Sequence, residues 1–241
     1  MTSRPPEGRW LRPQTAVRAN VTLLDKPKDA QRHVSLRDQA YAAIKRLIIT
    51  TGLRPGEILS EPALSTQLDI GRTPIRQAID RLLNDGLVEV MPRKGTIVKP
   101  VSLDEILNII DARIVNETFC VRVAAERAST EVPAQLRRNL EAMREAAQAR
   151  DIETIADLDQ EFHAIIAGSA RNPVMSDLLR NLHERSARMW FISLSTNEQH
   201  LRICAEHAAI VEGIARQDPD EAERAMRAHI ESFRANITRQ G

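Results

Sequence analysis

Cysteine and aromatic residues are scarce in this chain, and long apolar runs are missing. Only Cys120 and Cys204 occur among 241 residues, so no disulfide framework supplies the stability, and two cysteines fit a reducing compartment. Aromatic side chains make up 3% of the sequence, which leaves Leu, Ile, Val, Ala and Met to fill the core. No run approaches the roughly 18 apolar residues of a membrane span. Residues 1–34 also lack the apolar stretch of a secretion signal. The expected location is therefore the cytoplasm, with no membrane partner. No repeat of roughly 20 to 50 residues is present, which excludes a solenoid.

The formal net charge of +1 conceals an asymmetry. Residues 1–34 carry 7 basic and 3 acidic side chains, residues 35–100 carry 10 and 7, and residues 101–241 carry 17 and 23. A basic front and an acidic back are expected where only the front meets phosphate. The first 34 residues are rich in Pro and Arg without periodicity and read as a disordered basic arm.

The segment Gly71 to Val90 reads as a DNA-recognition helix running into a wing. Thr73-Pro74 marks helix entry, because proline suits the first turn, where backbone donors have no intrahelical partner. Ile75, Ile79, Leu82 and Leu83 recur at helical steps and predict a buried stripe. Arg72, Thr73 and Arg76 fall at the amino-terminal end, which a recognition helix presents to bases and phosphates. Asn84-Asp85-Gly86 supplies a turn, Leu87 to Val90 alternates as a strand, and Thr96 to Lys99 is its partner. The tip between them, Pro92-Arg93-Lys94-Gly95, is basic. Upstream, Leu36, Ala40, Ile44, Leu47 and Ile48 predict a helix over 36–50, ended near Gly52 and Pro55-Gly56. A second helix is predicted over Glu61 to Leu68.

These residues resemble the winged-helix domain of the GntR family of bacterial transcription regulators. The resemblance lies in Leu53-Arg54-Pro55-Gly56-Glu57-Ile58-Leu59-Ser60-Glu61, in Arg72-Thr73-Pro74-Ile75-Arg76-Gln77-Ala78, in Asp85-Gly86-Leu87-Val88 and in Gly95. It implies DNA contact by Arg72, Thr73 and Arg76, with Gly95 letting the wing approach the minor groove; the basic tip adds Arg93 and Lys94 as candidate DNA contacts. The chain departs from the family at Gly71, where a serine or threonine is usual, and at Pro62, where some members place a basic residue.

From Ser102 onward the pattern is helical, with breaks near Pro133, Asp151, Pro173, Asn197 and Pro219, and these breaks delimit six helices. Ser102 is the expected N-cap of the first, with Glu105 completing a capping box. Within this region Asp159 and His163 stand four residues apart, so both project from one helix face. His207 and His229 lie on the last two helices among apolar neighbours. Three imidazoles and one carboxylate suit a divalent ion of zinc, nickel, manganese or iron, without distinguishing among them. Core histidines that bind nothing are the alternative. His33 and His200 are expected to be solvated, and Glu161 and Glu206 to point away from a metal.

Residues 102–238 resemble the FCD ligand-binding domain attached to the FadR-type branch of GntR regulators. Besides the Asp-x-x-x-His pair and the two later histidines, Arg113 to Glu117 and the turn Ala170-Arg171-Asn172-Pro173 carry the likeness. It implies that Asp159, His163, His207 and His229 hold a divalent ion, zinc foremost, and that a small organic acid completes its shell. Arg113 is then the candidate anchor for the carboxylate, with an ion pair to Glu117 as its alternative role, and His183 and Arg188 are candidates to line the cavity, with a surface or core role as the alternative for His183. Sugar acids, dicarboxylates, hydroxy acids and aromatic acids all stay open as effectors.

The expected architecture is mainly α. A winged helix-turn-helix of three helices and a β-hairpin wing spans 35–100, and an all-α antiparallel bundle of six or seven helices spans 101–241. The expected function is a homodimeric repressor on a palindromic operator. A purely structural metal and a metal-dependent enzyme are the alternatives.

Overall fold

The computed structural model describes residues 35–127, 129–194 and 197–240. The expected basic arm, residues 1–34 with His33, lies outside the described residues.

The chain enters helix α1, Leu36–Ile49, through Ser35, whose side chain accepts a bond from the Asp38 amide. Helix α2, Glu61–Leu68, is capped in the same way by Ser60 on the Ala63 amide. Helix α3, Arg72–Asn84, begins at Gly71 with no side-chain cap, the consequence of glycine at that position. Strands β1, Val88–Met91, and β2, Gly95–Val98, pair antiparallel, with Val88 opposite Val98 and Met91 opposite Gly95. The backbone of 56–59 adds a third rung, since Leu59 N donates to Thr96 O at 2.8 Å and Val98 N to Glu57 O at 2.9 Å. That rung was not visible in the sequence pattern.

Ile75, Ala78, Ile79 and Leu82 of α3 pack against Ala40, Ile44 and Ile48 of α1. Leu83, expected in that stripe, is 39% exposed instead. It follows Leu82 by about 100° of helix rotation, and Ala78 takes the inward position. Leu36 is also exposed, because it stands at the first helical position, ahead of the buried face.

Six helices follow: α4, Leu103–Arg127; α5, Glu131–Ala149; α6, Ile152–Ser169; α7, Pro173–Ser193; α8, Asn197–Ala215; and α9, Pro219–Gln240. Asp151 and Asn172 cap α6 and α7 through their side chains. Half of the expected capping box forms at α4. The Glu105 amide donates to Ser102 Oγ, whereas the Glu105 carboxylate turns to Lys99 and Arg185. Helix α9 packs along both α4 and α8, and α5 along α6. At Gly213 of α8 an added Cβ would lie 2.7 Å from the Ala222 amide nitrogen of α9, so glycine permits that close approach. The bundle core is separate from the winged-helix core. The two are joined by the Lys45 to Glu184 ion pair at 2.8 Å and by Arg188, which donates to Lys99 O at 3.2 Å.

Candidate metal centre and nucleic-acid interface

Helices α6, α8 and α9 bring Asp159, His163, His207 and His229 together in the bundle interior, each 4% exposed or less. One ligand atom from each lies within 4.8 Å of all the others. His163 Nε2 is 3.2 Å from His229 Nε2, and His207 Nε2 is 3.3 Å from Asp159 Oδ1. The second approach is not aligned as a hydrogen bond, and neither Asp159 Oδ1 nor either nitrogen of His207 has a hydrogen-bond partner. Leaving such buried atoms unpaired costs about 1–3 kcal/mol each. A cation at their centre would satisfy Asp159 Oδ1 and one nitrogen of His207 together, so this donor set fits a divalent ion.

Carboxylates stand behind two of the histidines, and one of them assigns a proton. Glu206 Oε2 accepts from His229 Nδ1 at 2.9 Å, and Glu117 Oε2 lies 2.5 Å from His163 Nδ1. With hydrogen on Nδ1 of His229, its Nε2 lone pair faces inward. Burial opposes the charge on Glu117, but Arg113, His163 and His183 outweigh it and hold the carboxyl well below the usual range. Burial likewise opposes ionisation of Asp159, and the neighbouring His207, His163 and His229 outweigh it and hold its carboxyl below the usual range. Burial pushes His207 below the ordinary imidazole value, which keeps it neutral and fit to ligate. The Phe162 ring stacks on His207 with centroids 3.9 Å apart, fixing the plane of that ring.

Glu161 turns to Asn139, 3.2 Å away. Glu206 lies outside the four converging donors as well, yet it holds His229 among them, a role no spacing along the chain discloses. His200, expected to be solvated, is 3% exposed, and its Nε2 bonds Leu194 O at 2.8 Å. It therefore pins the Leu194 carbonyl at the end of α7. Cys120 and Cys204 are both buried and unpaired.

Beside Asp159 is a cavity of about 40 Å³ whose walls include Arg113, His183, Gln160, Trp190 and, from α1, Ile49. Arg113 does two things there, since its Nε also donates to Glu117 Oε1 at 2.6 Å. His183 Nε2 lies 3.2 Å from the same oxygen, and burial followed by the charge of Arg113 pushes its pKa down to about 4. Arg188 is buried and is held instead by the Lys99 carbonyl.

On the winged helix, Arg72, Thr73 and Arg76 are exposed at the start of α3. Arg76 forks onto Glu61 of α2 at 3.1 and 3.0 Å. Arg93, Lys94 and Gly95 form the exposed tip between β1 and β2. Gly95 has φ +93° with open space around it, so the backbone conformation, not crowding, requires glycine. No helix among the described residues is long and apolar enough to cross a membrane.

Two family models match the chain: "Bacterial regulatory proteins, gntR family" over residues 36–98 and "FCD domain" over residues 108–232. The chain is 26% identical over 202 residues to the HTH-type transcriptional repressor RspR of Escherichia coli K12, covering 84% of this chain and 89% of that protein. It is 29% identical over 189 residues to the Nta operon transcriptional regulator of Aminobacter aminovorans, covering 77% and 86%. Among solved structures, E. coli McbR/YncC superposes with TM-score 0.76 at 21% identity, covering 86% of this chain and 99% of that one. A GntR regulator from Rhodococcus sp. RHA1 gives 0.70 at 21% identity, covering 84% and 97%. These structures share the fold, a winged helix-turn-helix followed by a helical bundle. The proteins matched in sequence are transcriptional regulators, which sets aside the enzyme alternative. With a winged helix and a bundle each matched over most of its length, the chain belongs to the gntR family of bacterial regulatory proteins, as a DNA-binding transcriptional regulator with an FCD domain.

Proposed function

We propose that this regulator is a repressor whose operator affinity is set by a small organic acid bound beside a divalent ion, zinc foremost, in the helical bundle. The observation that carries the reading is the convergence of Asp159 Oδ1 with nitrogens of His163, His207 and His229 within 4.8 Å, with unpaired buried atoms among them. When bound, the ion supplies a Lewis-acidic position that a carboxylate oxygen can occupy. The chain's own residues do the rest. Glu117 and Glu206 orient two of the imidazoles, and Arg113 and His183 face the cavity where the acid's carboxylate sits. Arg188 serves the connection between the two cores instead, through Lys99.

Arg72, Thr73 and Arg76 contact the operator in the major groove, while Arg93, Lys94 and Gly95 bring the wing to the minor groove. The working form is a homodimer on a palindromic site, because two recognition helices must be about one helical turn apart on one duplex face. An apolar surface suits that assembly. Val115 and Phe119 of α4, and Val174 and Leu178 of α7, are exposed one turn apart on two helices that pack together. The division of labour is residues 35–100 for DNA and 101–241 for effector and dimerisation, with the operator in the cytoplasm. Repression follows the relative RspR, described as a transcriptional repressor.

The test is elemental analysis of the purified protein, followed by thermal-shift titration of small carboxylates on zinc-loaded and chelated forms. One metal per chain and stabilisation confined to the loaded form are expected. Absence of metal together with absence of any carboxylate response would overturn the reading.

A further inference from the structure

The cavity beside Asp159 holds about 40 Å³, room for a carboxylate or about three ordered waters and little more. It does not stand alone. Ile49, Ala156, Asp157 and Gln160 line it and also line a groove of about 450 Å³ between α1 and the α6 and α7 helices. One side of that groove is α1, through Tyr41, Ala43 and Ile49, and the other includes Ala156 and Phe191.

We propose that this groove is the subsite for the part of the effector beyond its carboxylate, so that a helix of the DNA-binding unit forms one wall of the effector site. The inference rests on the carboxylate reading above and narrows it to one chemical class. Lys45 and Arg46 at the groove are already matched by Glu184 and Glu153, and Asp157 adds negative charge. A second anionic group would gain no unmatched cation there. Ala43, Ile49, Ala156 and Phe191 offer apolar contact. The class is a monocarboxylate with an uncharged extension that carries apolar groups to these four side chains; dicarboxylates fit the groove poorly.

This placement also supplies the route of regulation. An acid that touches α1 binds with different affinity when α1 shifts, and that difference is what a ligand needs to move an equilibrium. Helix α1 shares its core with α3, so a displacement at Ile49 reaches the recognition helix through packed side chains.

The experiment is calorimetric titration of the zinc-loaded, full-length protein with acetate, butyrate, hexanoate and phenylacetate. Affinity should rise about fourfold for each methylene that enters the groove, so the ratio of hexanoate to acetate affinity is the reading. Ala43→Leu narrows the groove from the α1 side and should bring that ratio toward unity. Phe191→Ala removes an apolar contact from the other side and should lower it as well. A ratio near unity in the unaltered protein would overturn the subsite while leaving the carboxylate reading intact. So would a high ratio that neither variant changes. Failure of acetate and every longer acid to bind would overturn the carboxylate reading itself, and the subsite with it.

Discussion

His229 gives its Nδ1 to Glu206 Oε2 at 2.9 Å while its Nε2 stands 3.2 Å from His163 Nε2. One imidazole thus has its proton fixed on the outer side and its lone pair directed at the other ligands. Removing the carboxylate frees the ring to rotate or change tautomer. Glu206→Ala is expected to weaken zinc binding by about 10- to 100-fold with the helical fold retained, as read by competition against a chelator. An unchanged zinc affinity would reduce Glu206 to a surface contact.

His207→Ala removes one inward donor outright. Metal content and the carboxylate-induced rise in Tm should both disappear, while binding to operator DNA without effector stays close to that of the parent, because the α3 surface is untouched. Loss of DNA binding in a variant with native circular dichroism would contradict that separation.

The approach of α8 to α9 at Gly213 sets up a steric experiment. In Gly213→Ala the new Cβ would lie 2.8 Å from the Ala222 Cα, and backbone cannot swing aside as a side chain can. Separating the helices should cost about 1–3 kcal/mol and lower zinc affinity as well, since these helices carry His207 and His229. Gly168 is the control, because a Cβ there meets nothing within 4 Å. Gly168→Ala should be neutral or stabilising by about 0.5–1 kcal/mol.

Arg72→Ala and Arg76→Ala should each weaken specific operator binding by about 1–3 kcal/mol if each reads a guanine edge. Arg93→Ala and Lys94→Ala should instead weaken binding evenly across sequences and flatten the salt dependence. Gel-shift titrations on operator and scrambled DNA at several salt concentrations separate the two patterns.

Glu105 offers a pH signature. Burial raises its carboxyl, but the hydrogen bonds from Arg185 and Lys99 prevail and leave it below the ordinary glutamate value of 4.5. A depressed acid contributes stability that is present above the unfolded value and lost as pH falls through the folded one. Thermal stability should therefore decline more steeply below pH 4.5 in the parent than in Glu105→Gln. Parallel curves would show that the pair adds nothing.

Much of this molecule is written in local chemistry. Pro133, Pro173 and Pro219 and the capping residues Asp151 and Asn172 mark helix starts, so the six helices of the bundle could be delimited before any coordinates. Asp159 and His163 share a helix face by spacing alone, and the four donors could be nominated together. What escaped depends on neighbours distant in the chain. Glu206 meets His229 only because α8 lies along α9, and Ile49 meets the cavity only because α1 lies against the bundle. The third rung of the wing sits in a stretch whose Pro and Gly read only as a helix end. Leu83 and His200 misled for a related reason. Periodicity ranks apolar residues without choosing between adjacent ones, and a histidine in a polar stretch gives no sign that a carbonyl waits for it in the interior.

The fork between Arg76 and Glu61 has a consequence for how strongly this protein binds DNA. Exposed pairs of this kind are worth about 0–1 kcal/mol, so the guanidinium is held in place without being locked away. Any duplex must nevertheless outbid a carboxylate that is always present. Under the proposed major-groove role of Arg76, the net gain from its operator contact is what remains after this fork with Glu61 is broken.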